Sequence, residues 1–472
     1  MAHPATRIVT VATLHKGQAG WFLLGTLGIS AVIAGEFGGW NWGLAHGGWG
    51  GMLLATLVAA VLFFALVYCI AELACIIPTA GGGYGFARCA FGPYAGFMTG
   101  VTVGLQYTLG VAVIATFINA YCASLTQYSG WPVLTVCFVL GCGLHCLGVG
   151  AAMRIVLALG TLALAGIVLF LAVAAPHFSA SRLLDIVPTS GTRFLPSGAL
   201  GVWTSLPFAF AGFVGVESIA LASEEAGDVT RDIPRGLLFG QGFLFVLTLA
   251  LLCIAPAARG SAALATSASP LVDALTSGVG GPASSIIVRS VNVGGLIGLL
   301  ASFFSTIYAY SRQIFSLARA GYLPRPLGSI NRRQSPWLAV LVPGGLALLL
   351  ALTADGPQLY VLLIFFSLAA YVLIFAAHIR LRLSRADLVR PYRTPGGIFT
   401  ALVGLFLTLL TFVACFLAEP LWSWAGAGAL GLLSLYFLVY ARHRVISNAP
   451  EEEFAVAQTA ARPSRSGLKM PT

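Results

Sequence analysis

Long apolar runs separated by short polar connections occupy almost the whole chain. Each run approaches or exceeds the ~20 residues that a helix needs to cross a bilayer. The runs predict twelve membrane helices, over about 18–45, 50–77, 94–123, 131–150, 153–175, 200–222, 236–257, 285–318, 337–353, 357–378, 397–418 and 420–441. Composition agrees, since 58% of the 472 residues are hydrophobic and 8% are charged, with a mean hydropathy of +0.92. A polytopic, all-α membrane protein is the fold class that follows.

Charge then sets an orientation. Arg88, the group Arg319, Arg325, Arg332 and Arg333, and the segment "RLRLSRADLVRPYR" with its five arginines all follow even-numbered helices. The opposite connections hold only Arg182, Arg193 and Arg259. By the positive-inside rule the arginine-rich side, with both basic tails, is cytoplasmic. The formal charge of +10 is therefore mostly a topology signal. Nucleic acid is not an expected partner, because the arginines flank helices instead of interleaving with aromatics on a soluble domain. The N-terminus lacks a basic region, short apolar core and small-residue cleavage site in sequence, so the first run is expected to stay as a helix.

The nine cysteines lie mostly inside apolar runs, where they act as small hydrophobes. "CGLHC" places Cys142, His145 and Cys146 on one helical face, but a fourth ligand is missing nearby and no metal is expected. "GGGYGF" from Gly81 lacks the lysine and hydroxyl residue of a phosphate loop. No cofactor is implied, and no nucleophile, base and metal set argues for an enzyme.

Ionisable groups at membrane depth are expensive and so are candidates for function. Of fifteen acids, only Glu36, Glu72 and Glu217 lie well inside apolar runs. Glu72 sits near the cytoplasmic end of the second run, within reach of Arg88, and reads as a gate or structural pair. Glu217 follows Gly212 and Gly215 in "FAFAGFVGVESIALASEE". Glu36 is flanked by glycines in "VIAGEFGGWNWG". Glycine-interrupted spans in the first and sixth runs predict two unwound segments, near Ala34 to Gly38 and Phe210 to Gly215, lining a cavity. They point to a transporter of five-plus-five inverted repeats with its site at their interface. The expected organisation is a cytoplasmic segment 1–17, a first repeat 18–175, an extracellular loop 176–199, a second repeat 200–378, a basic loop 379–396, two further helices over 397–441 and a polar, disordered tail 442–472.

Four stretches carry a family resemblance: "GEFGGWNWGLAHGGWGGM", "AELACIIPTAGGGYGFARCAFGP", "ASEEAGDVTRDIPRG" and "YSRQIFSLARAGYLPRPLGSINRRQSPW". The chain resembles the amino acid, polyamine and organocation transporter superfamily, and in the first stretch its ethanolamine permeases. The resemblance implies a substrate at the midplane against the broken parts of helices 1 and 6. By position the contacts are Ile33, Ala34, Gly35, Glu36 and Phe37, then Gln106 and Tyr107, then Phe210, Ala211, Val214 and Glu217, then Phe303 and Thr306. Ethanolamine has an ammonium and no carboxylate, so Glu36 would supply the counter-charge, with aromatic faces adding cation–π attraction. Gln106 departs from the acid many ethanolamine permeases carry there, leaving the pocket one negative charge poorer.

Coupling to a proton or sodium ion stays open. The fifth run has no lysine, Ser302, Ser305 and Thr306 offer oxygens to sodium, and Glu217 could carry a proton. Arg231 and Arg235 are expected to pair with the acids of "SEEAGDVTRDIPRG" at a cytoplasmic gate. The leading expectation is a secondary transporter in a bacterial inner membrane, both termini cytoplasmic, importing ethanolamine or a similar small cationic amine. An amino-acid or polyamine permease is the second. A channel or receptor lacks pore-lining polar faces or a sensing domain.

Overall fold

A computed structural model of the chain describes residues 20–77, 81–147, 152–223, 226–278 and 285–446. The expectations for segment 1–17, for Glu224 and Glu225, and for most of the C-terminal tail lie outside the described residues. Every helix follows in chain order: α1 (Trp21–Val32), α2 (Ala34–Phe37), α3 (Trp42–Ile76), α4 (Gly83–Phe91), α5 (Pro93–Thr126), α6 (Trp131–Leu147), α7 (Ala152–Ala174), α8 (Ala180–Leu183) and α9 (Gly198–Ser205). Then come α10 (Val229–Arg259), α11 (Ser261–Leu264), α12 (Pro270–Asp273), α13 (Ile286–Arg319), α14 (Trp337–Thr353), α15 (Gly356–Ser384), α16 (Ile398–Ala418) and α17 (Pro420–Val439).

Among the described residues eight helices are long and apolar enough to cross a membrane, and Trp21–Phe37, Trp131–Leu147 and Trp337–Thr353 form shorter apolar ones. Their ends obey local chemistry. Proline opens α5 and α17, where the lost N–H would have had no intrahelical partner. The Asp228 carboxylate caps α10 by accepting from Thr230 N. Asp355 and Gln358 form a reciprocal capping box at the start of α15.

Helix α13 packs along α5 and α7, α1 along α10, and α15 along α5 and α16, with α5 and α15 the most deeply buried of the long helices. Glycines let some of these backbones touch. A side-chain carbon on Gly166 would stand 3.2 Å from Gly294 Cα across the α7–α13 seam, the small-residue packing that membrane helices favour. Outward faces stay apolar, as with Phe399 and Phe406 of α16 and Leu421 and Leu432 of α17, all exposed and suited to lipid tails.

The structure adds elements that the hydrophobic pattern did not reveal. The glycine-rich "GGGYGF" begins the short helix α4, whose apolar face buries Tyr84 and Phe86. The second apolar run starts earlier than expected, at Trp42, and bends at Gly48, where φ is +66°.

Candidate functional site

Two helix interruptions meet at the centre of the molecule. Helix α1 ends at Val32, Ile33 turns, and α2 runs only to Phe37. Gly38 is then extended and Gly39 takes a φ of +97°, a left-handed conformation that glycine adopts without steric cost. After α9 the chain passes through a 3₁₀ turn at Phe208–Phe210, takes a left-handed residue at Gly215 with φ +108°, and resumes as a 3₁₀ helix over Val216–Ala222. Both interruptions fall where the glycines predicted them.

They also touch. A side-chain carbon on Gly35 would lie 1.7 Å from the Ala211 carbonyl oxygen, so only glycine permits this approach. The Ser302 hydroxyl of α13 fastens the first interruption, accepting from Ala34 N at 3.2 Å and donating to Ser30 O at 2.9 Å. One hydroxyl thus satisfies groups on both sides of the turn.

A cavity of about 190 Å³ opens beside the interruptions. Of the residues that sequence reasoning placed there, Ala34, Gly35, Gln106, Tyr107, Ala211, Val214 and Thr306 line it. Ile33, Glu36, Phe37, Phe210, Glu217 and Phe303 are not among its lining residues. The aromatics of that second group are packing residues: Phe37 against Tyr121 at 6.0 Å, Phe210 against Phe63 at 4.9 Å and Phe303 against Phe138 at 5.2 Å between ring centroids. Among the further lining residues that sequence reasoning missed are Val113, Ile114, Phe117, His145, Tyr360 and Leu363. A signal for three of them existed, because Gln106, Gly110, Val113, Ile114 and Phe117 repeat at helical spacing along one face of α5.

One end is closed by aromatic rings. Trp42 lies 5.4 Å from Phe117 and 6.0 Å from Tyr360, and Phe208 stacks on Tyr360 at 6.0 Å. In the other direction the cavity follows the first half of α1, through Leu24 and Leu27, and the end of the sixth span, through Leu221 and Ala222, toward Arg312.

Two buried polar atoms in this wall lack partners, Gln106 Oε1 and Tyr360 Oη. The amide orientation of Gln106 follows from its neighbour: its Nε2 donates to Glu217 Oε1 at 2.7 Å, and a carboxylate only accepts. Its carbonyl oxygen is therefore the end left free.

The three membrane-depth acids differ sharply. Glu217 accepts from Gln106 Nε2, from Tyr371 Oη at 2.8 Å and from the backbone N–H of Gly215 at 2.9 Å. It clamps its own interruption to α5 and α15. Glu36 is fully buried, takes a single side-chain hydrogen bond from Thr248 Oγ1 at 2.7 Å, and leaves Oε2 without a partner. Glu72 takes its guanidinium partners from Arg382, at 2.5 Å, and Arg390, at 3.2 Å, instead of Arg88. It also accepts from Thr394 N at 2.7 Å and lies 3.4 Å from His378 Nε2, so it anchors the basic loop 385–396.

Arg231 and Arg235 make no ion pair among the described residues; Asp228 instead accepts from Thr230, and its own N–H donates to Asp232. His145 of "CGLHC" shares Nδ1 with Gly141 O at 2.8 Å, while Cys142 Sγ lies 3.7 Å from Tyr310 Oη.

The model of the amino acid permease family matches residues 19–437 of the chain. The chain is 26% identical over 415 residues to the branched-chain amino acid permease BcaP of Bacillus subtilis, covering 81% of this chain and 84% of that protein. It is 26% identical over 302 residues to the BcaP of Lactococcus lactis, covering 60% and 63% of the two chains. A crystal structure of the Eremococcus coleocola manganese transporter superposes with a TM-score of 0.60 at 17% identity, over 92% of this chain and 99% of that one, which is a likeness of fold.

Proposed function

The chain belongs to the amino acid permease family, and from that premise we propose that it carries a small amino acid with an apolar side chain across the membrane by alternating access. The observation that carries this reading is the cavity wall. Its described lining is mostly apolar, with Arg312, His145 and several hydroxyls as the polar exceptions, contains no acidic residue, and includes two fully buried polar atoms without partners, the acceptor Gln106 Oε1 and the hydroxyl Tyr360 Oη. An amino acid is a zwitterion, so it can use both. Its ammonium would meet Gln106 Oε1, with the Glu217 carboxylate one hydrogen bond behind. Its carboxylate would take the Tyr360 hydroxyl. Val113, Ile114, Leu363 and Val214 then face the side chain. A cavity of about 190 Å³ is smaller than the ~300–1,000 Å³ typical of drug-sized ligands, as suits a single small metabolite.

Ethanolamine, the leading expectation from sequence, loses its main support. Glu36, the intended counter-charge, turns its carboxyl to Thr248 and does not line the cavity. The aliphatic part of the wall, Val113, Ile114, Val214 and Leu363, has no counterpart on a two-carbon amino alcohol. The relatives named as branched-chain amino acid permeases favour the same choice. With the arginine-rich segments cytoplasmic, the aromatic closure faces outward and the Arg312 end of the cavity faces the cytoplasm of a bacterial cell.

Flux into proteoliposomes tests the reading. Labelled leucine, alanine, arginine, putrescine and ethanolamine are offered singly, and counterflow separates a carrier from a channel. Saturable leucine uptake, competed by valine and isoleucine and unaffected by putrescine, is the expected result. Saturable ethanolamine uptake without leucine uptake would overturn it.

A further inference from the structure

Glu36 is left over by the site above. It is the residue before Phe37 in a four-residue helix that touches the cavity through Ala34 and Gly35, yet its own carboxyl lies on the other side of that turn. It has no exposed surface, one hydrogen-bond donor and one oxygen, Oε2, with no partner. A buried carboxylate demands several donors or a nearby cation, and without them the neutral acid is strongly preferred.

Among the described residues the surroundings supply no cation. Helix α2 packs against α1, α10 and α13. Between Trp21 and Val32, α1 has no titratable residue. On α10 the charged residues nearest Thr248 are Arg235 and Arg259, and on α13 those nearest Ser302 are Arg289 and Arg312. Each is ten or more residues away, about 15 Å along its helix axis. Cys253, Tyr308 and Tyr310 are the other titratable groups in those middle stretches; Tyr308 lines the substrate cavity and Tyr310 donates to Val340 O. From α5, Tyr121 donates to Phe37 O. From the sixth span, Glu217 is the one titratable group, and its donors are Gln106, Tyr371 and Gly215.

We propose that the Glu36–Thr248 pair is an internal proton-binding site, separate from the substrate cavity, through which a proton gradient drives uptake. The geometry supplies the link. A side-chain carbon on Gly212 would lie 2.0 Å from Thr248 Oγ1, so the backbone of the second interruption is pressed onto the donor of the Glu36 hydrogen bond. With Oε2 protonated, this dry contact is stable and the two interruptions stay joined. When the proton leaves Oε2 for water, the carboxylate needs donors that only entering water can provide. Hydration then parts Gly212 from Thr248 and loosens the second interruption from α10. The proton binds from water on one side and is lost to water on the other, one for each substrate carried. Glu217 cannot serve in this way, because its three donors already fit the ionised form.

This inference rests on the proposed amino-acid transport, and the test separates the two. Full-length protein and its Glu36→Gln and Glu36→Asp variants, each monodisperse in detergent, are reconstituted and assayed for leucine counterflow and for accumulation under an imposed pH gradient. A gradient of one pH unit is worth about tenfold accumulation for one proton. The parent should show both activities. Glu36→Gln, neutral and of the same shape, should keep counterflow within about twofold and lose accumulation, and Glu36→Asp should recover part of it. Parent-like accumulation by Glu36→Gln, or no effect of the gradient on the parent while counterflow persists, would overturn the inference. Absence of leucine counterflow in the parent would instead remove the proposed function. Should Glu36→Gln not fold, leucine-evoked proton uptake by the parent, read by a pH dye, decides the matter. Stoichiometric uptake supports the site, and none rejects it.

Discussion

The two interruptions carry the same acid in nearly the same glycine setting, and the structure uses them in opposite ways. At the second, Glu217 is saturated with donors, one of them the N–H of Gly215 two residues before it, so the carboxylate acts as a local staple for an unwound chain. At the first, the stapling falls to the Ser302 hydroxyl, and Glu36 is left with one donor. An acid beside a broken helix is therefore not one signal. What distinguishes a structural carboxylate from a working one is how many donors the fold has already committed to it.

The largest effect should come from destroying the contact between the interruptions. In Gly35→Ala the new carbon would meet the Ala211 carbonyl oxygen at 1.7 Å, and every atom it meets is backbone. Overpacking commonly costs ~1–3 kcal/mol, and a backbone collision with no flexible side chain to yield belongs at or beyond the upper end. Expression as a monodisperse protein should fall steeply, and any folded fraction should not transport. Gly143→Ala in α6 is the control, since nothing lies within 4 Å of its added carbon. It should leave Tm unchanged or raise it, by the ~0.5–1 kcal/mol that alanine gains over glycine in a helix. Equal behaviour of the two variants in a thermal-shift series would break the picture of touching interruptions.

A smaller effect separates the two acids directly. In Glu217→Gln the new amide can accept on one atom only, and its NH₂ opposes donors that previously met the second oxygen. Leaving one or two buried donors unmet costs ~1–3 kcal/mol each. Glu36→Gln loses no donor that its amide oxygen cannot keep, so its Tm should stay within the scatter of surface substitutions. Chemical denaturation is unsuited to a membrane protein of this size, and thermal scans in one detergent make the fairer comparison. If Glu36→Gln proves the more destabilised, Glu36 is ionised and held by contacts other than Thr248.

Tyr360→Phe probes the cavity between them. The hydroxyl has no hydrogen-bond partner within the protein, so its removal should not reduce stability. A hydrogen bond to a bound carboxylate is worth ~1.5–3 kcal/mol, which corresponds to a loss of affinity of ~10- to 100-fold. Isothermal titration with leucine reads it, and undiminished affinity would place the carboxylate elsewhere.

How much of this was legible beforehand follows from the range of each interaction. Helix spans depend on local hydropathy, and α5, α6, α7, α13, α14, α16 and α17 begin and end within a few residues of expectation, whereas α10 starts earlier, α15 ends later, the sixth run is α-helical only as far as Ser205, and the short α8, α11 and α12 were not foreseen. The interruption at Gly215 was legible too, because a residue at φ +108° is nearly always glycine. The direction of Glu36 was not. Which face of a four-residue helix meets the cavity depends on Thr248, 212 positions along the chain. Glu72 was legible as a candidate for a structural pair, but its partners, Arg382 and Arg390, lie more than 300 positions along the chain from it, out of reach of local sequence. Gln106 was read as a missing charge. It is instead the coupling between Glu217 and the cavity, which only its hydrogen bond reveals.

The smallest predicted effect concerns α10, the helix that brings Thr248 to Glu36. Its first turn is capped by Asp228, whose fully exposed carboxyl is held below the usual carboxylate range, chiefly by the Thr230 hydroxyl that donates to it. A lowered folded-state value means that the ionised cap stabilises the helix above the unfolded value, and that this benefit is lost as the pH falls through the folded one. Asp228→Ala should therefore lower Tm slightly at neutral pH, and the difference from the parent should shrink on acidification below pH ~4. Asp228→Asn, an equally good cap without the charge, should show a smaller deficit throughout. Neither variant should change the accumulation driven by a pH gradient, because Thr248 lies about 30 Å along the axis from the capped turn. A loss of coupling in Asp228→Asn would mean that fraying at the membrane surface reaches the interior of α10, and the proton site would then have to include the whole helix rather than one hydrogen bond at its centre.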